Sequence, residues 1–279
     1  MEKLFSTADV SARDRFDYWH SVANKNLVKH DSRPECRTTF QAELSSSTIA
    51  DASLVLFENS AMRVEHTERH AAHANDNEIF VCRQVAGTLA LEQDGRDAVL
   101  APGDVVLLDP RFPYAGQFSS GSRLLVAKVP RRDLKARMGC VRKAILHPIR
   151  PSGGEGGLVS AFLGMLPTYA ASLAPAAAEV VKTNALDLLA QALASSIDQQ
   201  LLSGSPAQML VLMNVRAAIE SRLADPDLDG PTVAAAAGVS VRYANAVLAL
   251  EGTSIRRLIL ARRLARCRKA LEEASQSGR

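Results

Sequence analysis

Between residues 36 and 130 the chain is cut into short apolar or alternating runs by turn-forming residues, and no other feature limits the fold as much. The breaks fall at Ala86-Gly87, Asp94-Gly95, Pro102-Gly103-Asp104 and Ser120-Gly121. The runs read as strands: Leu54–Glu58, Glu78–Gln84, Leu89–Gln93, Ala98–Ala101, Val105–Leu108 and Arg123–Val129. Asp94-Gly95 between two of them is a hairpin signal, because both turn residues must adopt positive φ. Several short strands at this spacing predict a small β-barrel or double-sheet jelly roll. Which side chains of Glu78–Gln84 point inward is not set by alternation, since that run is apolar on both faces.

Helical texture flanks this stretch. Over residues 1–30, Phe16, Trp19, Val22 and Ala23 recur at helical steps. A Gly-rich break at Ser152–Gly157 precedes two helices expected over Leu158–Ser172 and Ala176–Leu202. In the second, Leu186, Leu189, Leu193, Ile197 and Leu201 form one apolar stripe, readable as packing on the protein's own barrel or as a dimer seam. Ser203-Gly204-Ser205-Pro206 reads as a short linker. At 279 residues, more than one domain is expected.

Charge separates the two ends. From Met209 to Arg279 there are 11 Lys and Arg against 7 Asp and Glu, whereas the preceding residues hold 22 against 23. Ser240–Leu271 alone carries eight bases and one acid, Glu251. Such clustering suits a polyanion partner. Within it, Val233–Val247 fits a helix-turn-helix: Ala234 is the small residue at the helix crossing, and Gly238 follows four positions later in the turn. Val233, Ala237, Val239, Ala244 and Val247 anchor the pair. Asp229 and Ser240 are placed to cap its helices. The second helix would present Ser240, Arg242, Tyr243 and Asn245 to a major groove, with Arg242 suited to guanine and Asn245 to adenine. A long helix over Thr253–Glu273 follows, in which Arg262 and Arg263 are candidate phosphate contacts.

Composition excludes other classes. With 47% apolar and 23% charged residues the chain is not a disordered one. Cys36, Cys82, Cys140 and Cys267 form no CxxC pair, which predicts reduced thiols and a cytoplasmic protein. The charged N-terminus does not read as a signal peptide, and the uncharged run Gly157–Ala178 is too weakly apolar for a membrane span.

The segment GVSVRYANAVLALEGTSIRRLILARRLARCRKAL, beginning at Gly238, resembles the first helix-turn-helix and connecting helix of the AraC/XylS family of bacterial transcription regulators. Upstream, QVAGTLALEQDGRDAVLAPGDVVLLDPRFPY, from Gln84 to Tyr114, resembles the cupin-like sensing domain of one branch of that family. The resemblance covers nearly the whole chain, firmly over 205–274 and loosely over 1–60. It implies an α+β architecture: an N-terminal cupin-like β-barrel or jelly roll with flanking helices, then an all-α helix-turn-helix domain. The implied domains are 1–150 for effector sensing, 151–204 as helical linker or dimerisation region, and 205–279 for DNA binding. The implied function is a sequence-specific activator that responds to a small organic effector, binds double-stranded DNA as a homodimer and works with RNA polymerase. Two departures stand out: the chain ends at Arg279, where a second helix-turn-helix would begin, and Ala246 stands where relatives often carry a basic or larger polar residue. Both weigh against strong sequence-specific binding.

A cupin-fold metalloenzyme is the competing class, and a truncated regulator acting by dimerisation or effector sequestration is a third. His66, His70 and His73 beside Glu65 and Glu68 are the nearest thing to a metal set, but no His-x-His pair or later histidine in Gly103–Gln117 completes it. They read as a polar surface segment. Asp104 reads as a turn residue accepting local backbone bonds. Neither a cofactor nor a catalytic set is expected; the barrel reads as an effector pocket with apolar walls, oriented by polar groups such as Arg83, Gln84 or Gln93.

Overall fold

The computed structural model describes residues 1–152, 154–203, 206–249 and 253–277, with side chains described throughout these except at 9, 198–203, 206, 207, 209, 268–270 and 272–277. The Gly204-Ser205 linker, Glu251, and the side chains of Leu201, Arg268 and Lys269 therefore lie outside the described parts. The chain divides into two compact units, Met1–Ile197 and Asp198–Arg279. Among the described residues, no single helix is long and apolar enough to cross a membrane.

In the first unit the six expected strands, joined by five that the sequence did not mark, form two antiparallel sheets. One has the order β1 (Glu2–Ser6), β3 (Ala42–Ile49), β4 (Ala52–Asn59), β11 (Ser122–Pro130), β6 (Glu78–Ala86) and β9 (Val105–Leu108). The other runs β2 (Asp31–Pro34), β5 (Met62–His66), β10 (Tyr114–Phe118), β7 (Leu89–Gln93) and β8 (Arg96–Leu100). The Asp94-Gly95 turn between β7 and β8 has φ of +52° and +70°, as its hairpin type requires.

The closed barrel or jelly roll expected from the strand spacing is not formed. The two sheets are open, with no strand pairing between them among the described residues. Edge capacity is used elsewhere: β9 bridges to Ile145 and Ile149, and the Arg96 guanidinium of β8 donates to the carbonyl of Ile145 at 2.7 Å. A segment after the sheets thus covers the edges that closure would have joined.

Helix α1 (Arg15–Asn26) buries Phe16, Trp19 and Ala23. The residues before it form β1, a strand where the sequence reads as helix. A single turn, α2 (Glu68–Ala71), follows β5, and α3 (Arg131–Met138) follows β11. Next come α4 (Gly154–Tyr169) and α5 (Pro175–Ser203). On α5, Leu186, Leu189 and Leu193 are buried in the core that the sheets share, with Ile197 packed against it. The described part of the stripe is therefore intramolecular packing and not a dimer seam.

The second unit contains α6 (Pro206–Ser221), α7 (Gly230–Ala236), α8 (Val241–Ala249) and α9 (Ile255–Ser277). Val215, Val233, Ala234, Ala244, Val247 and Ile255 are buried in its own core. Asp229 accepts from the Thr232 amide at 2.9 Å and Ser240 Oγ from the Tyr243 amide at 3.2 Å, so both expected caps are made.

Candidate effector pocket and nucleic-acid interface

A cavity of about 50 Å³ lies between the two sheets of the first unit. The six-stranded sheet contributes Phe57, Phe80 and Cys82, and the five-stranded sheet contributes Met62, Tyr114 and Phe118. Trp19 of α1 and the segment Leu27, Val28 and His30 complete one wall. On β6, Phe80 and Cys82 share one parity, so Arg83 faces the other way. Arg83 donates instead to the Ser160 carbonyl of α4 at 2.7 Å. That helix accounts for a strand buried on both faces.

The polar groups expected to orient a ligand have other tasks. Gln84 Nε2 donates to the Ala86 carbonyl at 2.7 Å and to Ser122 Oγ at 2.8 Å. Gln93 Nε2 donates to the carbonyls of Asp109 and Phe112 at 2.8 and 3.0 Å. Neither these two nor Arg83 lines the cavity. Gln84 and Gln93 have the inward parity of their strands but lie beyond the cavity, where each satisfies nearby backbone or hydroxyl groups. The polar groups that do line it were not singled out from sequence: His30, Tyr114, Cys82 and the Trp19 indole. Trp19 is 1% exposed, and its Nε1–H has no acceptor among the described residues. Burial pushes the His30 imidazole down to about 4 and the Cys82 thiol up to about 12, and raises the Tyr114 hydroxyl. All three are neutral at neutral pH. His30 Nδ1 donates to the Val28 carbonyl at 2.7 Å, leaving Nε2 as an acceptor.

The three expected surface histidines separate. His66, 1% exposed, sits between two carbonyls: Nδ1 is 2.7 Å from Lys29 O, and Nε2 is 2.8 Å from Pro110 O. Its ring stacks on Tyr114 with centroids 4.8 Å apart. It is thus a buried tie between the Leu27–His30 segment and the loop after β9, contrary to its reading as a polar surface residue. His70 closes a capping box with Thr67, and His73 is exposed. Among the described residues, no three His, Cys, Asp or Glu side chains are grouped to hold a metal ion.

The loop after β9 is held by Asp109. Burial would raise its carboxyl, but Arg131 at 2.7 Å and Arg111 at 3.0 Å outweigh that and hold it below the usual range. Asp104 accepts from the Ala101 amide at 2.7 Å, as a turn residue should, and additionally pairs with Arg150.

In the second unit the six candidate DNA residues fall into two groups. Arg242 and Tyr243 are exposed on α8. Ser240 caps α8, and Asn245 Oδ1 accepts from the Ile255 amide at 3.0 Å, capping the start of α9. Arg262 pairs with Glu220 at 3.2 Å. Arg263 donates to the carbonyls of Leu223, Asp225 and Pro226. Exposed Arg256 and Arg266 extend the basic surface of α9.

Residues 19–194 match the family model described as the AraC-binding-like domain. The transcriptional activator NphR of Rhodococcus sp. is 29% identical over 259 residues, spanning 91% of this chain and 76% of its own. A protein in the nit 5′ region of Bacillus sp. (strain OxB-1) is 28% identical over 252 residues, spanning 87% and 96%. The crystal structure of the AraC-like transcriptional activator CuxR shares the fold, with a TM-score of 0.60 at 19% identity over 95% of each chain. With the family model covering well over half its length, the chain belongs to the AraC/XylS family of transcription regulators and carries a cupin-like sensing domain in its N-terminal part.

Proposed function

We propose that this regulator binds double-stranded DNA through α8 and α9 and responds to a small organic effector held between its two sheets. The observation that carries the DNA reading is the division of labour on the helix-turn-helix. Ser240 and Asn245 bond backbone amides and hold the helices together, while Arg242 and Tyr243 are exposed on the second helix. Arg242 then reads a base edge, the exposed Arg256 and Arg266 face phosphate, and Arg262 exchanges its Glu220 partner for phosphate on binding. The relatives NphR and CuxR are both transcriptional activators, which favours activation here, with RNA polymerase as a further partner. A homodimer, which a two-fold operator calls for, would use the outward face of α4, where Leu158, Met165 and Tyr169 are exposed. The domain roles follow as 1–150 for sensing, 151–204 for linking or association, and 205–279 for DNA.

The test is duplex binding by the full chain across a range of salt. Each neutralised phosphate contributes a log–log slope of about −0.9, so contacts from about half of the eight clustered bases give roughly −3 to −5. Failure to bind any duplex, or binding indifferent to salt, would overturn the reading.

A further inference from the structure

The walls of the inter-sheet cavity restrict what can enter it. The polar residues that line it, Trp19, His30, Tyr114 and Cys82, are uncharged, and among the described residues no Lys, Arg, Asp or Glu joins them. A buried anion would find no partner there, and a polyol would lose more water than four scattered groups can replace. Trp19 lines the cavity beside His30, and its Nε1–H is buried without an acceptor among the described residues, a loss that an acceptor admitted next to the indole would repair. The remaining wall is aromatic and aliphatic, suited to a flat apolar body.

Size sets a second condition. An apolar cavity of about 150 Å³ takes up benzene, whereas this one measures about 50 Å³. A ring can enter only if part of the wall yields. Of the lining residues, Leu27, Val28 and Tyr114 are partly exposed and form the rim. Behind that rim, His66 ties Lys29 O to Pro110 O and stacks on Tyr114.

Resting on the effector-sensing reading above, we infer that the effector is an uncharged, largely apolar molecule of about one ring, carrying a hydrogen-bond acceptor for Trp19 and admitted by displacement of the Leu27–His30 segment. Entry stretches the tie from Lys29 O to His66, so occupancy is felt at the loop after β9 as well as at α1.

Isothermal titration of the full chain with four probes tests this: acetophenone, toluene, benzoate and arabinose. Acetophenone should bind saturably, at least about tenfold tighter than benzoate or arabinose. Trp19→Phe should weaken acetophenone by about three- to tenfold and leave toluene unchanged. Equal affinity for benzoate or arabinose, or equal loss of acetophenone and toluene in the variant, overturns the inference. Should Trp19→Phe fail to fold, hydrogen exchange on the unaltered chain decides: acetophenone must change exchange at 27–30 and 110–114, and changes confined elsewhere count against it. Duplex binding is measured separately on the same preparation. Acetophenone binding without DNA binding sinks the regulator's DNA reading and leaves the pocket standing, and the converse sinks only the pocket.

Discussion

At Arg263 the guanidinium is engaged by three backbone carbonyls of the turn after α6, whereas Arg242 is exposed on α8. Both are arginines in a basic stretch, and their sequence positions alone give each an equal claim on DNA. Hydrogen bonds from a charged donor to carbonyls that would otherwise need water are worth about 1–3 kcal/mol in net stability. Arg263→Ala should therefore lower the stability of the second unit by about that much in urea denaturation followed by circular dichroism. Arg242→Ala should change it by less than about 0.5 kcal/mol and instead cost about 1–3 kcal/mol on a cognate duplex. A large stability loss in Arg242→Ala, or none in Arg263→Ala, would reverse these assignments. The same holds at His66, Gln84 and Gln93. Each looks like a ligand group in sequence, and each is tied to a carbonyl or hydroxyl brought in from a distant strand or loop: His66 to Lys29 O, Gln84 Nε2 to Ser122 Oγ, and Gln93 Nε2 to Asp109 O.

Among the elements, those with strong local signals form where they are expected. Val105–Leu108 and Leu89–Gln93 are strands with the expected ends, and the turn from α7 to α8 places Gly238 at φ +72°. A Cβ on Gly238 would meet nothing within 4 Å, so its backbone conformation is the only obstacle to a side chain there. Gly238→Ala should destabilise the second unit by about 1–2 kcal/mol, and Gly238→Asn by less, because Asn tolerates this region. Thermal melts of the two variants check this ranking; equal stability of wild type and Gly238→Ala would refute it. Elements without a local signal escape a reading of the sequence. β3 carries Ser45-Ser46-Ser47, and it becomes a strand by pairing with both β1 and β4. β1 lies in a stretch of helical texture and owes its form to the edge that β3 offers.

For the whole molecule, the buried imidazoles set a pH dependence. His30 titrates near 4 in the folded chain against an ordinary 6.5, chiefly because burial disfavours its charge. The unfolded chain therefore binds more protons between those values, so stability is present above pH 6.5 and lost as pH falls towards 4. The loss from His30 alone is on the order of 3 kcal/mol. His20 and His147 are also lowered by burial and add in the same direction. Melting temperature measured from pH 7.5 to 4 should fall through this window, and His30→Phe should flatten the fall; a profile level down to pH 4 would contradict the burial of His30. The sequence by itself determined what depends on neighbours along the chain: turn positions, helix caps, the helix-turn-helix and the basic C-terminal stretch, each set by backbone preference or local charge. Only the tertiary structure decided that the sheets stay open, that the Leu186–Leu193 stripe is core, and that Trp19, His30 and Tyr114 line one cavity. Those outcomes depend on which distant groups compete for the same edge, face or carbonyl, and residue spacing does not encode that competition.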